Sequence, residues 1–230
     1  MPTEAPLPLK ESWHRRLYLP AYTVAQAARY AGTHPQTVSY WHHKGGELGP
    51  ALPGKEQGQL LSYMQLVEVA FVATFRRLHV PLQKLRRARA YLAQVFDFEY
   101  PFAQLRLKTD GYHILMNLQE VEPDSDLQRL IIADANGQMA WEGLIGERFN
   151  EFDYDQQGLA ITWHPRGRQS LVVIDPRVSF GAPIVHGVPT WIIRGRRSAG
   201  ERITEIADDF GLQESDVIQA LEFEGLKEAA

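Results

Sequence analysis

Apolar positions along the chain recur first at helical spacing, then in short alternating runs, then at helical spacing again. Leu17 to Tyr22 is short and broken by Pro20, an extended lead-in. Val24, Ala27, Ala28 and Ala31 then form one stripe of a short helix. Thr23 stands before it as an N-cap whose hydroxyl can take an orphaned amide, and Gly32 ends it. After a turn, Pro35 falls in the first turn of a second helix, whose Val38 and Trp41 face inward. Gly45-Gly46 closes that helix, and Leu48 to Gln57, with Pro50 and Pro53, reads as a loop or wing. Leu60, Met64, Val67, Phe71 and Phe75 predict an amphipathic helix, broken by His79-Val80-Pro81. Leu82, Leu85, Leu92 and Val95 continue in a further helix, whose outer face is read as carrying Lys84, Arg86, Arg87 and Arg89.

From Phe98 the period shortens. Leu105 to Leu118, Leu130 to Ile132, Gln138 to Leu144, Leu159 to Trp163 and Ser170 to Ile174 are strand-like runs. Asp110-Gly111, Asn136-Gly137 and Gln157-Gly158 supply turns between them, predicting a small antiparallel sheet. Asp175-Pro176 to Trp191 reads as a proline- and glycine-rich loop. Two closing helices are predicted, Gly200 to Phe210 and Glu214 to Glu224, joined at Gly211-Leu212. The fold class is therefore mainly α with a small antiparallel β region, α+β. Its expected parts are a lead-in (residues 1–20), a helical head (21–97), a β-rich linking domain (98–174) and a C-terminal helical domain (175–230).

Composition adds constraints. With 230 residues, 44% hydrophobic, the chain can bury a real core. It has no cysteine, which excludes disulfides, thiolate zinc sites, iron–sulfur clusters and a cysteine nucleophile. The start, Met1 to Leu9, lacks the pattern of a signal peptide, and the apolar stretch Leu66 to Phe75 is interrupted by Glu68 and too short to span a bilayer. No membrane is expected, and the cytoplasm is the default location. The net charge of −4 is unevenly placed: residues 1–100 hold 12 Lys/Arg and 7 Asp/Glu, whereas residues 101–230 hold 12 and 21. A basic end and an acidic end suggest one anionic and one basic partner.

The chemistry-bearing pattern is the helix–Gly–turn–helix from Thr23 to Lys44. Ala27 and Ala28 let two helices approach closely, and Val38 and Trp41 anchor the second. Gln36, Thr37, Ser39, Tyr40 and His43 are left outward, with Lys44 following, and no acid stands among them. Such groups can bond base edges or phosphates of double-stranded DNA, with Arg86 and Arg87 added from the basic helix. The run Tyr22-Thr23-Val24-Ala25-Gln26-Ala27-Ala28 to Val38-Ser39-Tyr40-Trp41 resembles the helix-turn-helix of MerR-type and excisionase-type DNA binders. Leu61-Ser62-Tyr63-Met64-Gln65-Leu66-Val67 and Val80-Pro81-Leu82 resemble the helices after the MerR wing. The resemblance covers residues 20–96 and implies a winged, MerR-like helix-turn-helix.

Asp175-Pro176-Arg177-Val178-Ser179-Phe180-Gly181-Ala182-Pro183-Ile184-Val185-His186-Gly187-Val188-Pro189-Thr190 and the two closing helices resemble, over residues 171–226, an antitoxin-like domain of genes paired with PIN-like ribonuclease toxins. The resemblance to VapBC-like type II systems implies an antitoxin that binds its own operator and neutralises a PIN-like ribonuclease; a homodimer is expected because one short recognition helix reads few bases. The final helix carries Glu214, Asp216, Glu222 and Glu224, a face that repels phosphate, so it is read as holding a partner or a second copy. Arg194-Gly195-Arg196-Arg197 reads as a loop whose Arg194, Arg196 and Arg197 could pair with carboxylates of a ribonuclease.

Catalytic and cofactor chemistry finds no foothold in these residues. His42-His43 are adjacent and so diverge on a helix, and the other histidines are scattered, so no metal site is expected. Asp208-Asp209 and Asp153/Asp155 are read as carboxylate pairs without a base or nucleophile beside them, and Ser39, Ser179 and Ser198 lack a nucleophile-elbow context. No cofactor and no enzymatic activity are expected. Two other classes remain open: a stand-alone MerR-like regulator with a ligand-sensing middle domain, and an adaptor without DNA binding.

Overall fold

The computed structural model describes residues 13–43, 49–55, 58–96, 99–104, 148–156 and 158–226. The expected strands at 105–118, 130–132 and 138–144, and Lys44, lie outside the described residues.

A 3₁₀ turn, His14–Tyr18, leads into α1 (Val24–Tyr30) and α2 (Pro35–His42). Thr23 caps α1 in a capping box, its Oγ1 accepting from the Gln26 amide at 3.1 Å and its own amide donating to Gln26 Oε1 at 2.9 Å. Pro35 opens α2, as its fixed φ and missing N–H allow. Gly32 between them has φ +67, and a Cβ there would meet the Arg77 guanidinium at 3.0 Å, so the turn needs glycine both for its backbone and for space.

Helix α3 (Tyr63–Arg77) begins with a second capping box, Ser62 with Gln65. Tyr22 and Leu61, in an isolated antiparallel bridge, tie its start to that of α1. The expected one-sided helix is corrected here: every residue of α3 from Tyr63 to Phe75 except Gln65 is buried, which marks a central helix packed on all sides. Helix α4 (Leu82–Phe96) follows, then the single turn α5 (Pro101–Gln104).

Among the described residues the sheet is a five-stranded antiparallel meander: β1 (Phe152–Tyr154), β2 (Ala160–Trp163), β3 (Val173–Ile174), β4 (Pro183–Val185) and β5 (Val188–Pro189), each paired with the next. The sheet thus spans position 175, with β1 to β3 before it and β4 and β5 after it. The loop expected from Asp175 to Trp191 is also corrected: it contains a 3₁₀ turn, Ser179–Gly181, and the β4–β5 hairpin. Three helices close the fold, α6 (Thr190–Ser198), α7 (Ile203–Phe210) and α8 (Glu214–Phe223), with Gly211 left-handed at φ 65 between the last two.

Head and sheet share one hydrophobic core. Phe71 of α3 lies 4.8 Å from Phe149, 5.2 Å from Phe152 and 6.3 Å from Phe102, centroid to centroid, and Phe152 stacks on Trp163 at 5.6 Å. Offset and tilted ring pairs at these separations add about 0.5–1.5 kcal/mol each beyond area burial.

Candidate nucleic-acid interface

The two head helices pack as the small residues Ala27 and Ala28 allow; both are fully buried, and Val38 and Trp41 of α2 turn in against them. That orientation leaves Gln36, Thr37, Tyr40 and His43 exposed and Ser39 half-buried. Tyr40 is 59% exposed, so its ring and hydroxyl are open to a partner. The His43 ring nitrogen Nδ1 lies 2.5 Å from the Ser39 carbonyl, which fixes the ring at the C-terminal end of α2.

The base of the wing is tied to the same helix. The amides of Ala51 and Leu52 both donate to the Trp41 carbonyl at 3.1 Å, and His42 Nδ1 meets the Pro53 carbonyl at 2.6 Å. His42 is buried, and desolvation pulls its imidazole down to about 4, so it is a neutral strut and not a reading residue. A groove of about 620 Å³ runs beside α2, lined among others by Thr23, Ser39, His43 and Lys55.

The basic helix α4 divides. Arg87 is exposed, as expected of an outer-face residue. Arg86 is a correction: it is 8% exposed with its Nε unpaired, turned inward with Leu85 and Ala88, and is withdrawn as a phosphate contact.

The arginines Arg194, Arg196 and Arg197 sit on α6, not in a loop. Arg196 pairs with Glu201 and, at 2.5 Å, with Asp209, and its guanidinium lies over the Phe210 ring. Arg197 donates to the Glu201 carbonyl at 3.0 Å. Arg194 is exposed, its side chain 54% accessible and 3.7 Å from Glu224. Beside it on α6, Trp191 is 60% exposed.

The acidic face read on the last helix is partly structural. Asp216 is buried and accepts from the Gln213 amide at 3.0 Å, a cap for α8. Glu224 follows α8 and its side chain is 4% exposed; it accepts from Thr190 Oγ1 at 2.6 Å and pairs with Arg29 of α1 at 2.9 Å. Tyr30 stacks on Phe223 at 5.6 Å, and Tyr22 Oη donates to the Gly181 carbonyl at 2.9 Å. The reading head is thereby fastened to the C-terminal helices. Sequence gave no signal for this junction, because Arg29 and Glu224 are 195 positions apart.

Bases do stand beside these carboxylates, contrary to the sequence reading: His14 Nε2 is 3.9 Å from Asp155, and His164 Nε2 is 3.2 Å from Asp153. Arg168 bridges the second pair, at 2.6 Å from Asp153 and 3.3 Å from His164, and no serine or threonine hydroxyl bonds to His164 among the described residues. Among the described residues, no three His, Asp or Glu side chains are grouped closely enough to hold a metal ion, and no helix is long and apolar enough to cross a membrane.

Comparison with known proteins agrees with this geometry. Residues 172–223 match the family described as protein of unknown function DUF433. The chain is 26% identical over 228 residues to a Mycobacterium tuberculosis protein named "Putative antitoxin VapB45", covering 90% of this chain and 95% of that one. Its fold is similar to the X-ray crystal structure of Rv2018 from Mycobacterium tuberculosis, with a TM-score of 0.72, 24% identity, and coverage of 90% of this chain and 99% of the other. Residues 22–92 match the MerR helix-turn-helix family of regulatory proteins, so the head described above is a MerR-type DNA-binding helix-turn-helix.

Proposed function

We propose that this chain is the antitoxin of a type II toxin–antitoxin pair, which binds its own operator through α2 and holds a PIN-like ribonuclease through its C-terminal half. The observation that carries the reading is the uncharged, hydrogen-bonding outer face of α2 in a chain similar over 90% of its length to a protein named as an antitoxin. Gln36, Thr37, Ser39, Tyr40 and His43 contact base edges, and Lys44 and Arg87 contact phosphate. One short helix reads few bases, so two copies in a homodimer read two half-sites. Arg194, flanked by the exposed Trp191, presents a cation beside an aromatic anchor, a combination enriched in protein interfaces. A ribonuclease with clustered carboxylates offers the matching charge, and Arg196 and Arg197 reach it only by exchanging their bonds to Glu201 and Asp209. The protein acts by binding in the cytoplasm, without catalysis or cofactor, and represses its own operon.

Co-expression with a PIN-like ribonuclease encoded beside it tests the partner. The two chains are expected to co-purify, and excess antitoxin to protect a labelled RNA from cleavage. Unchanged cleavage at saturating antitoxin, with no complex on size exclusion, contradicts the proposal.

A further inference from the structure

Behind the reading head, a cleft of about 270 Å³ opens between the α1–α2 turn, the end of α3 and the end of α8. Its walls include Arg29, Arg77, Arg148 and Arg166, together with Tyr30 and Phe223. Among the described residues the charges do not balance. Arg29 pairs with Glu224, which Arg194 also approaches, and Arg148 pairs with Glu151 at 2.5 Å. Arg77 spends its donors on the Ala31 carbonyl and Thr74 Oγ1. Arg166 lies over the Phe223 ring and has no carboxylate partner among the described residues. Among the described residues, four guanidiniums face two carboxylate partners, and the cleft is lined with positive charge in excess. Arg148 is 8% exposed, and its Nε is buried with no acceptor, an arrangement that costs free energy until an acceptor arrives. Burial, and the like charge of Arg77, pull Arg148 below the ordinary arginine value.

From this geometry we infer that the cleft binds a compact phosphate dianion, either free phosphate or the phosphate group of a small metabolite. Planar forks on several sides suit phosphate oxygens better than a single ammonium would. A volume of about 270 Å³ lies below the range of about 300–1,000 Å³ usual for drug-sized ligands, so the site takes a phosphoryl group with little attached. The bound anion would touch the turn of the helix-turn-helix and the end of α8 together. The inference does not depend on the antitoxin reading.

The test uses the full chain in phosphate-free buffer at constant ionic strength. Inorganic phosphate, pyrophosphate, a nucleoside monophosphate and a nucleoside triphosphate are titrated by calorimetry and by melting temperature. Arg166→Gln, an exposed position that should fold normally, is compared with Arg15→Gln, which removes the same charge outside the cleft. We expect saturable binding that Arg166→Gln weakens at least tenfold and Arg15→Gln leaves unchanged. Equal affinity for inorganic phosphate and the monophosphate assigns free phosphate, and tenfold tighter binding of the monophosphate assigns a phosphorylated metabolite. The proposal is overturned if no phosphate species binds, or if both variants weaken binding equally. It is also overturned if Arg166→Gln impairs duplex DNA binding while small phosphates never bind, because the cleft then belongs to the DNA surface.

Discussion

Replacing Glu68 with glutamine should stabilise the protein at alkaline pH and change little at acid pH. Glu68 is fully buried on α3; its Oε1 accepts from the amides of Phe102 at 2.7 Å and Ala103 at 3.0 Å, while Oε2 has no partner. Burial pushes the carboxyl up to about 7, against the opposing pull of Arg89 and the two amides. A folded-state value above the unfolded one means that the fold favours the protonated form. This group's contribution is therefore present in full below pH 4.5 and is lost as pH rises through about 7. The interval from 4.5 to about 7, at about 1.4 kcal/mol per tenfold in proton affinity, amounts to about 3 kcal/mol. Glutamine keeps an oxygen for the two amides and cannot ionise. The difference in unfolding free energy, Glu68→Gln minus parent, should therefore rise by about 3 kcal/mol between pH 4.5 and pH 8. For a chain of this size that is a relative gain of roughly 6–12 °C in melting temperature. Urea unfolding followed by tryptophan fluorescence at several pH values measures it, and other titrating groups cancel in the difference. Parallel curves for the two proteins would refute the reasoning, and a variant that loses ground at pH 8 would mean that Arg89 holds a stabilising ion pair.

His42 should show the opposite sign. Its value is depressed to about 4, so its contribution is complete above pH 6.5 and is lost as pH falls toward 4. An NMR titration of its ring should find the midpoint near 4, and a midpoint near 6.5 would remove it from the neutral strut role. Gly181→Ala should destabilise by about 2–5 kcal/mol through left-handed strain and overpacking. The backbone there has φ +79, and the added Cβ would lie 2.1 Å from Tyr22 Oη; an unchanged denaturation midpoint would contradict that contact. A fragment of residues 1–96 should lack a cooperative melt, because Phe71 loses Phe102, Phe149 and Phe152, and a sharp transition would show that the head folds alone.

What sequence reveals here is what is local. Thr23, Gly32 and Pro35 mark the helix-turn-helix because a cap, a left-handed turn and a first-turn proline each act within a few residues. The inward pair Val38 and Trp41 then fixes which α2 residues face out. The β4–β5 hairpin was hidden because Pro183 and Pro189 look like strand breakers. Both lie in the last two strands of the sheet, and β5 is an edge, where a missing N–H costs least. His186 and Gly187, with φ 49 and 85, make the tight turn that Asn-Gly more often signals. Helix α6 was obscured by Gly195, which costs about 1 kcal/mol in a helix interior, an amount that burial of Ile193 offsets. Arg86 and Arg87 are neighbours of identical type, and only packing tells which one is buried. The four arginines of the cleft stand up to 137 positions apart, from Arg29 to Arg166, and no local pattern could assemble them.

The claim that α2 reads DNA is tested most directly by fluorescence anisotropy titrations at two salt concentrations. The full chain, Tyr40→Ala and Arg87→Ala are each titrated against a duplex from the region upstream of the gene and against a scrambled duplex. The parent protein should bind the upstream duplex at least about 10³-fold tighter than the scrambled one. Tyr40→Ala should narrow that ratio by about 1–3 kcal/mol. Arg87→Ala should leave the ratio nearly unchanged while lowering the salt slope by about one. If both variants bind both duplexes as the parent does at both salts, the exposed face of α2 does not read DNA.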